Sequence, residues 1–350
     1  MPIIIHTLKA IGSFCTAFCL LTMLFTFYGL IPVHIDNPHG NTDYIWPANS
    51  RWMKMSEGVS WGQVDANGFN NKTVLDNPDI LIVGSSHMEA MNVMQDENTA
   101  SQLNQLLNQR YSVYNLGISG HNFCKTCQYL PRNIELFKPK GLKAIIVETS
   151  TVDVSLKDVE SILQQNIKKT PSHSNGLVGK LQRNPYLRTL YFQYEHGLSK
   201  TLSPPQLYNI IKKIRTKEKP TKSKSVNIMP SKESAYSKLF IYLADIQKEH
   251  HVRIIVFHHP FETLKRDGSI FLGDTKKIAA FSDAAIEHGV VFVDMSNQFE
   301  KMYYEEHHVP HGFITGKLGV GHLNAYGQAT IAKELADVIM KLEREGNLMP

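Results

Sequence analysis

The chain has 350 residues, 42% of them apolar and 20% charged, with a net charge of +5. That length holds one large domain or two ordinary ones, and the balance of apolar to charged residues excludes wholesale disorder. The mild positive charge gives no ground for a nucleic-acid partner, and no nucleic-acid motif is present.

The chain opens on an uncharged run from Ala10 to Val33 dominated by Phe, Leu, Ile and Met. About 20 apolar residues cross a ~30 Å hydrocarbon core, so residues 1–33 are expected to form a single membrane anchor. Lys9 and the amino terminus precede the run, and Asp36 and Asp43 follow it. This asymmetry, blunted by Arg51 and Lys54, favours a cytoplasmic N-terminus and an extracytoplasmic (periplasmic or cell-surface) body. A cleaved signal peptide is the rival, but Phe27-Tyr28-Gly29-Leu30-Ile31-Pro32 offers no small-x-small cleavage site. Cys15 and Cys19 lie within the run as small hydrophobes. Cys124 and Cys127 read as two cysteines on one helix face, with a short disulfide as the alternative. One C-x-x-C alone is a weak zinc signal.

Residues 34–77 are rich in Asn, Gly, Pro and Trp, without periodicity. They read as a stalk that leads into the domain and packs on it. An α/β domain is expected over 78–345. Its strands are Ile80–Val83, Tyr111–Leu116, Lys143–Val147, Val252–Phe257 and Val290–Val293. Its helices are Met88–Leu107, Asn122–Phe137 with a kink or boundary at Pro131, Ser234–His250, Asp274–His288 and Ala325 to about Glu343. Asn324 is placed to cap the last one. The alternation breaks at about 155–234, a polar insertion with some helix (Leu207–Ile214) and a lysine-rich stretch. A solvated loop is expected there, the alternative being a basic arm that touches anionic headgroups or polymer. Continuous Val/Ile strands alternating with helices predict a parallel sheet covered on both faces.

Sites in such sheets form at the carboxyl ends of the strands. Ser85, Ser86 and His87 follow the first strand, Gly117 to Gly120 the second, and Glu148, Thr149 and Ser150 the third. His258 and His259 follow the fourth, and Asp294 the fifth. A serine hydroxyl needs a base to take its proton, and His322, just ahead of the last helix, is placed to supply one. Gly120 suits close backbone approach to an oxyanion. The histidines 258, 259, 307, 308 and 311 match no compact ligand spacing, so no metal or cofactor is expected.

Gly84-Ser85-Ser86 resembles the Gly-Asp-Ser block of SGNH/GDSL hydrolases, with Ser85 in place of the Asp. Asn115-Leu116-Gly117-Ile118-Ser119-Gly120 resembles the second block, and His322-Leu323-Asn324-x-x-Gly327 the last. The resemblance covers roughly Pro78–Ser150 and Val252–Leu342. It implies a three-layer flavodoxin-like sandwich and ester hydrolysis or acyl transfer, with Ser86 as nucleophile, His322 as base and Gly120 as oxyanion donor. Two features depart from the family pattern. The third block has no Asn, leaving Thr149 or Ser150 as stand-ins, with Ser85, Asn115 and His258 as further oxyanion or substrate candidates. The acid expected three residues before the histidine is Gly319, which leaves Asp294 or Asp153 as substitutes, or a Ser-His dyad.

The architecture is also similar to anchored SGNH proteins that work beside membrane-bound O-acyltransferases in bacterial envelopes. The resemblance therefore implies an acyl or acetyl ester of an envelope glycan as substrate. The alternative is a catalytically weak SGNH-like domain that binds glycan or scaffolds an envelope assembly.

Overall fold

The structure is a computed structural model that describes residues 2–28, 34–54, 57–108, 110–137, 141–164 and 231–348. The basic stretch and the helix expected at Leu207–Ile214 lie outside the described residues. The chain divides into two units.

In the first unit, helix α1 (Pro2–Tyr28) covers most of the N-terminal apolar run. Its described side chains, residues 4–20, are exposed, and Phe14 stacks on Phe18. Among the described residues no helix is long and apolar enough to cross a membrane. The second half of the expected anchor, residues 21–33, has its side chains outside the described set.

The second unit begins with two small antiparallel hairpins, β1 (Ile35–Asp36) with β2 (Tyr44–Ile45) and β3 (Arg51–Lys54) with β4 (Ser60–Gln63). These occupy the segment read as a stalk, and they bury Trp46 and Trp52. The indole of Trp46 donates to Glu89 at 2.7 Å, and the Tyr114 hydroxyl to Asp65 at 2.6 Å, so the segment is fastened to the domain that follows.

That domain is built on five parallel strands: β5 (Ile80–Val83), β6 (Val113–Asn115), β7 (Ala144–Thr149), β8 (Arg253–His258) and β11 (Val291–Asp294). Their spatial order is β11-β8-β7-β5-β6, the flavodoxin-like order with its switch point between β5 and β7. A short hairpin, β9 (Thr263–Leu264) with β10 (Ile270–Phe271), follows β8. Alternation of side chains along each strand sorts the core into two layers. Leu81, Val83, Ile145, Val147, Ile254 and Val256 face α4 (Phe123–Phe137), α5 (Leu156–Leu163), α6 (Ser231–His250) and α7 (Thr275–Glu287). Ile80, Ile82, Ile146, Ile255, Phe257 and Val293 face α3 (Thr99–Leu106), α8 (Ser296–Glu305) and α9 (Ala325–Arg344). The fold is a three-layer α/β sandwich.

Several expected boundaries are corrected. The helix expected over Met88–Leu107 is two pieces, α2 (Ser86–Glu89) and α3. The break comes at Ala90, whose φ of 52° ends the first turn, and Asn98 restarts the helix by accepting from the Ser101 amide at 2.8 Å. Pro131 lies inside α4 and does not end it. At the start of the stretch read as an insertion, Ser155 and Asp158 form a capping box that opens α5. Helix α8 was not expected. Asn324 does cap α9, accepting from the Gly327 amide at 3.1 Å.

Candidate active site

Strand β5 delivers its last residues to the carboxyl edge of the sheet, where the chain turns into α2. Gly84 is required there: a Cβ on it would sit 2.5 Å from a Glu148 carboxylate oxygen. That carboxylate accepts the Ser85 amide at 2.6 Å. The Ser85 hydroxyl accepts from the His87 amide at 3.2 Å, which makes Ser85 the cap of α2. Ser86, the first residue of α2, is left with its hydroxyl half-buried at the rim.

His322 comes from the loop that precedes α9. That loop is stitched to α2 directly. The Leu323 amide donates to His87 Nδ1 at 3.3 Å, and the buried Gln328 donates to the His87 carbonyl at 2.8 Å. The stitching brings the His322 imidazole Nε2 to 2.9 Å from Ser86 Oγ.

The other ring nitrogen, Nδ1, bonds the carboxylate of Glu57 at close range. Asn92 holds that carboxylate from behind, donating to its Oε2 at 3.2 Å and to the Glu57 carbonyl at 3.3 Å. The half-buried Lys54 donates to Asn92 Oδ1 at 3.1 Å. The bond from His322 holds the Glu57 carboxyl below its ordinary range, against the opposing effect of burial. Gly321, at φ 102°, leaves room for this contact, since a Cβ there would lie 2.9 Å from Glu57 Oε1. Proton positions follow from the partners: Nδ1–H points to Glu57, and the bare Nε2 accepts from Ser86. The result is a Ser-His-Glu relay.

The expectation that Asp294 or Asp153 stands behind His322 is therefore corrected. Asp294 Oδ1 is 2.9 Å from His258 Nδ1 and also accepts from the Ser296 hydroxyl, so this pair ties the ends of β8 and β11 together. Asp153 is exposed and pairs with Lys277 at 2.9 Å. His258 is buried, with its Nδ1 taken by the pairing with Asp294. Asn115 is corrected too: it is 1% exposed, donating to the Met88 carbonyl at 2.6 Å and accepting from the Gly117 amide at 2.8 Å. Thr149 closes a local turn, its hydroxyl donating to the Thr151 carbonyl at 2.5 Å and accepting from the Thr151 amide. It has no proton left for an oxyanion. Ser150 lies at the carboxyl end of β7, partly exposed. Gly120 adopts φ 82° in the loop after β6, beside the Tyr44 hydroxyl, which bonds the Ser119 carbonyl.

Sequence reasoning missed Glu57, because nothing near it in the chain is periodic and its partner lies near the other terminus. It set His259 and His311 aside on their spacing, whereas the fold gathers them with His87 into a buried group of three beside the relay. The adjacent pair His258 and His259 points apart, toward Asp294 and Glu148 respectively.

No family model matches this chain, and no curated protein matches it. Among solved structures, it is similar to the esterase EstA from Pseudoalteromonas sp., at 11% identity and TM-score 0.36 over 76% of this chain and 98% of that one. An acetyl xylan esterase is similar at 12% identity and TM-score 0.39, over 74% and 99%. The periplasmic domain of a lipopolysaccharide acetyltransferase of Salmonella ser. Paratyphi A is similar at 10% identity and TM-score 0.37, over 76% and 85%. Scores this low fix neither the fold nor the chemistry of this chain, which rest on the geometry above.

Proposed function

We propose that the protein is a serine esterase or O-acyltransferase that uses Ser86, His322 and Glu57. The observation that carries this reading is the relay itself, an unpaired-acid problem in the sequence answered by Glu57 in space. Ser86 Oγ attacks the ester carbonyl, and its proton passes to His322 Nε2. Glu57 orients the ring and offsets the charge of the imidazolium. The same proton is then delivered to the departing alkoxide, leaving an acyl group on Ser86. Water, or an acceptor hydroxyl, reverses the sequence and releases the acyl group.

The amides of Ser86 and Gly120 are the proposed oxyanion donors. The Thr149 hydroxyl supplies no third donor, because it is engaged with Thr151. Beside Glu57 opens a cleft of about 360 Å³ lined by Val59, Phe313, Leu318 and Tyr326 among others. Its apolar walls suit the acyl portion of a substrate.

The proposed setting is the cell envelope, with residues 1–33 as anchor and the domain extracytoplasmic. The proposed substrate is an acyl or acetyl ester of an envelope glycan, with a membrane-bound O-acyltransferase as partner. What supports this part is the N-terminal apolar run and the resemblance of the sequence blocks. The test is hydrolysis of p-nitrophenyl acetate by the full chain. Turnover lost in Ser86→Ala and in His322→Ala supports the enzyme. A folded wild-type chain without turnover on this or any acylated glycan favours the binding-scaffold alternative.

A further inference from the structure

Behind the relay, one ring nitrogen from each of His87, His259 and His311 lies within 4.8 Å of the others, and all three residues are buried. Two of the rings are gripped from their far sides by carboxylates. His259 Nε2 is 2.6 Å from Glu148 Oε1, and His311 Nδ1 is 2.5 Å from Glu262 Oε2. Both carboxylates are buried, and each also accepts a backbone amide, from Ser85 and His311 respectively.

A neutral imidazole carries one N–H, so a ring that directs it to its carboxylate turns a lone pair the other way. The other nitrogens of these two rings, His259 Nδ1 and His311 Nε2, face each other at 3.3 Å. A divalent cation held there would be backed by one carboxylate behind each ring.

We propose that His87, His259 and His311 form a binding site for a divalent transition metal, zinc or a close relative. Two nitrogens bound tetrahedrally at about 2.0–2.1 Å lie about 3.4 Å apart, which the 3.3 Å contact matches. A carboxylate on the far nitrogen of a ligating histidine is the usual supporting arrangement. Imidazole donors select zinc-like ions over magnesium and calcium, which take oxygen. His87 is the loosest member: its Nδ1 accepts the Leu323 amide at 3.3 Å, and full ligation gives up that long contact. The ion fastens α2, the end of β8 and the loop before α9, the segments around Ser86 and His322. It does not depend on Ser86 being a nucleophile.

The test uses the full chain, stripped with dipicolinate and titrated with Zn²⁺ against a chelating dye, with Co²⁺ as a spectroscopic stand-in. About one Zn²⁺ per chain is expected, with a raised melting temperature and intense visible Co²⁺ bands of a non-octahedral nitrogen site. Glu262→Gln is expected to weaken Zn²⁺ binding 10–100-fold while the circular dichroism is unchanged. A stripped, folded wild-type chain that takes up neither ion overturns the proposal, as does uptake unchanged in both Glu262→Gln and His259→Ala/His311→Ala. If the variants unfold, the wild-type titration decides alone.

Discussion

At the scale of single residues, the catalytic proposal stands on Glu57. A serine hydroxyl and an imidazole at 2.9 Å make a weak base unless the ring is held in one tautomer. Glu57 does that, and Asn92 holds Glu57. Glu57→Gln keeps the shape and inverts the tautomer preference, so kcat/KM on an activated ester is expected to fall about 10²–10⁴-fold with KM little changed. Steady-state kinetics check this. Asp294→Asn is expected to leave kcat within a few-fold of wild type, because Asp294 serves His258 and not His322. Ser86 and His322 were legible in the sequence because each sits in a short block at an element boundary. Glu57 was not, since it comes from an aperiodic segment 265 residues away from its partner. Asp294 misled because the strand end it occupies is correct while its side chain is already taken.

At the scale of elements, α2 is a single turn and cannot fix Ser86 alone. It is held by its contacts, and the loop after β6 is the tightest of them. A Cβ on Gly117 would lie 2.2 Å from the Glu89 amide nitrogen and 2.4 Å from the Met88 carbonyl carbon. Gly117→Ala therefore forces backbone apart, and a loss of about 3 kcal/mol or more is expected in denaturant unfolding. Asn115→Ala strands the Met88 carbonyl and the Gly117 amide in a buried setting, and about 2 kcal/mol or more of destabilisation is expected from the same measurement. The strands were legible as Val/Ile runs. The split between α2 and α3 was not, because the apolar spacing continues across Ala90 while the backbone turns left-handed there. Helix α8 was hidden for a related reason: it buries little beyond Phe299 and Met302 and carries no side-chain cap.

At the scale of the domain, the sheet order brings β5 and β7 together at the switch point, and Glu57 and His322, far apart in the chain, meet beside the end of β5. Acid stability is a property of this whole assembly. His121 is buried between Tyr44 and Tyr129, and burial lowers its pKa to about 4 from 6.5. Its folded value is thus below its unfolded one, so the unfolded chain binds the extra proton first. The corresponding stability is complete above about pH 6.5 and is lost as pH falls toward 4, on the order of 3 kcal/mol in all. His121→Phe is expected to flatten that part of the unfolding free energy against pH, read by urea titration at several pH values. The central claim, that three segments far apart in the chain assemble one reactive hydroxyl, is tested most directly by covalent trapping. The full chain is treated with a fluorophosphonate, and the adduct is located by peptide mass spectrometry. The account expects one adduct, on Ser86, greatly slowed in both His322→Ala and Glu57→Gln. A folded chain that stays unlabelled at Ser86, or labels there equally well without His322, contradicts it.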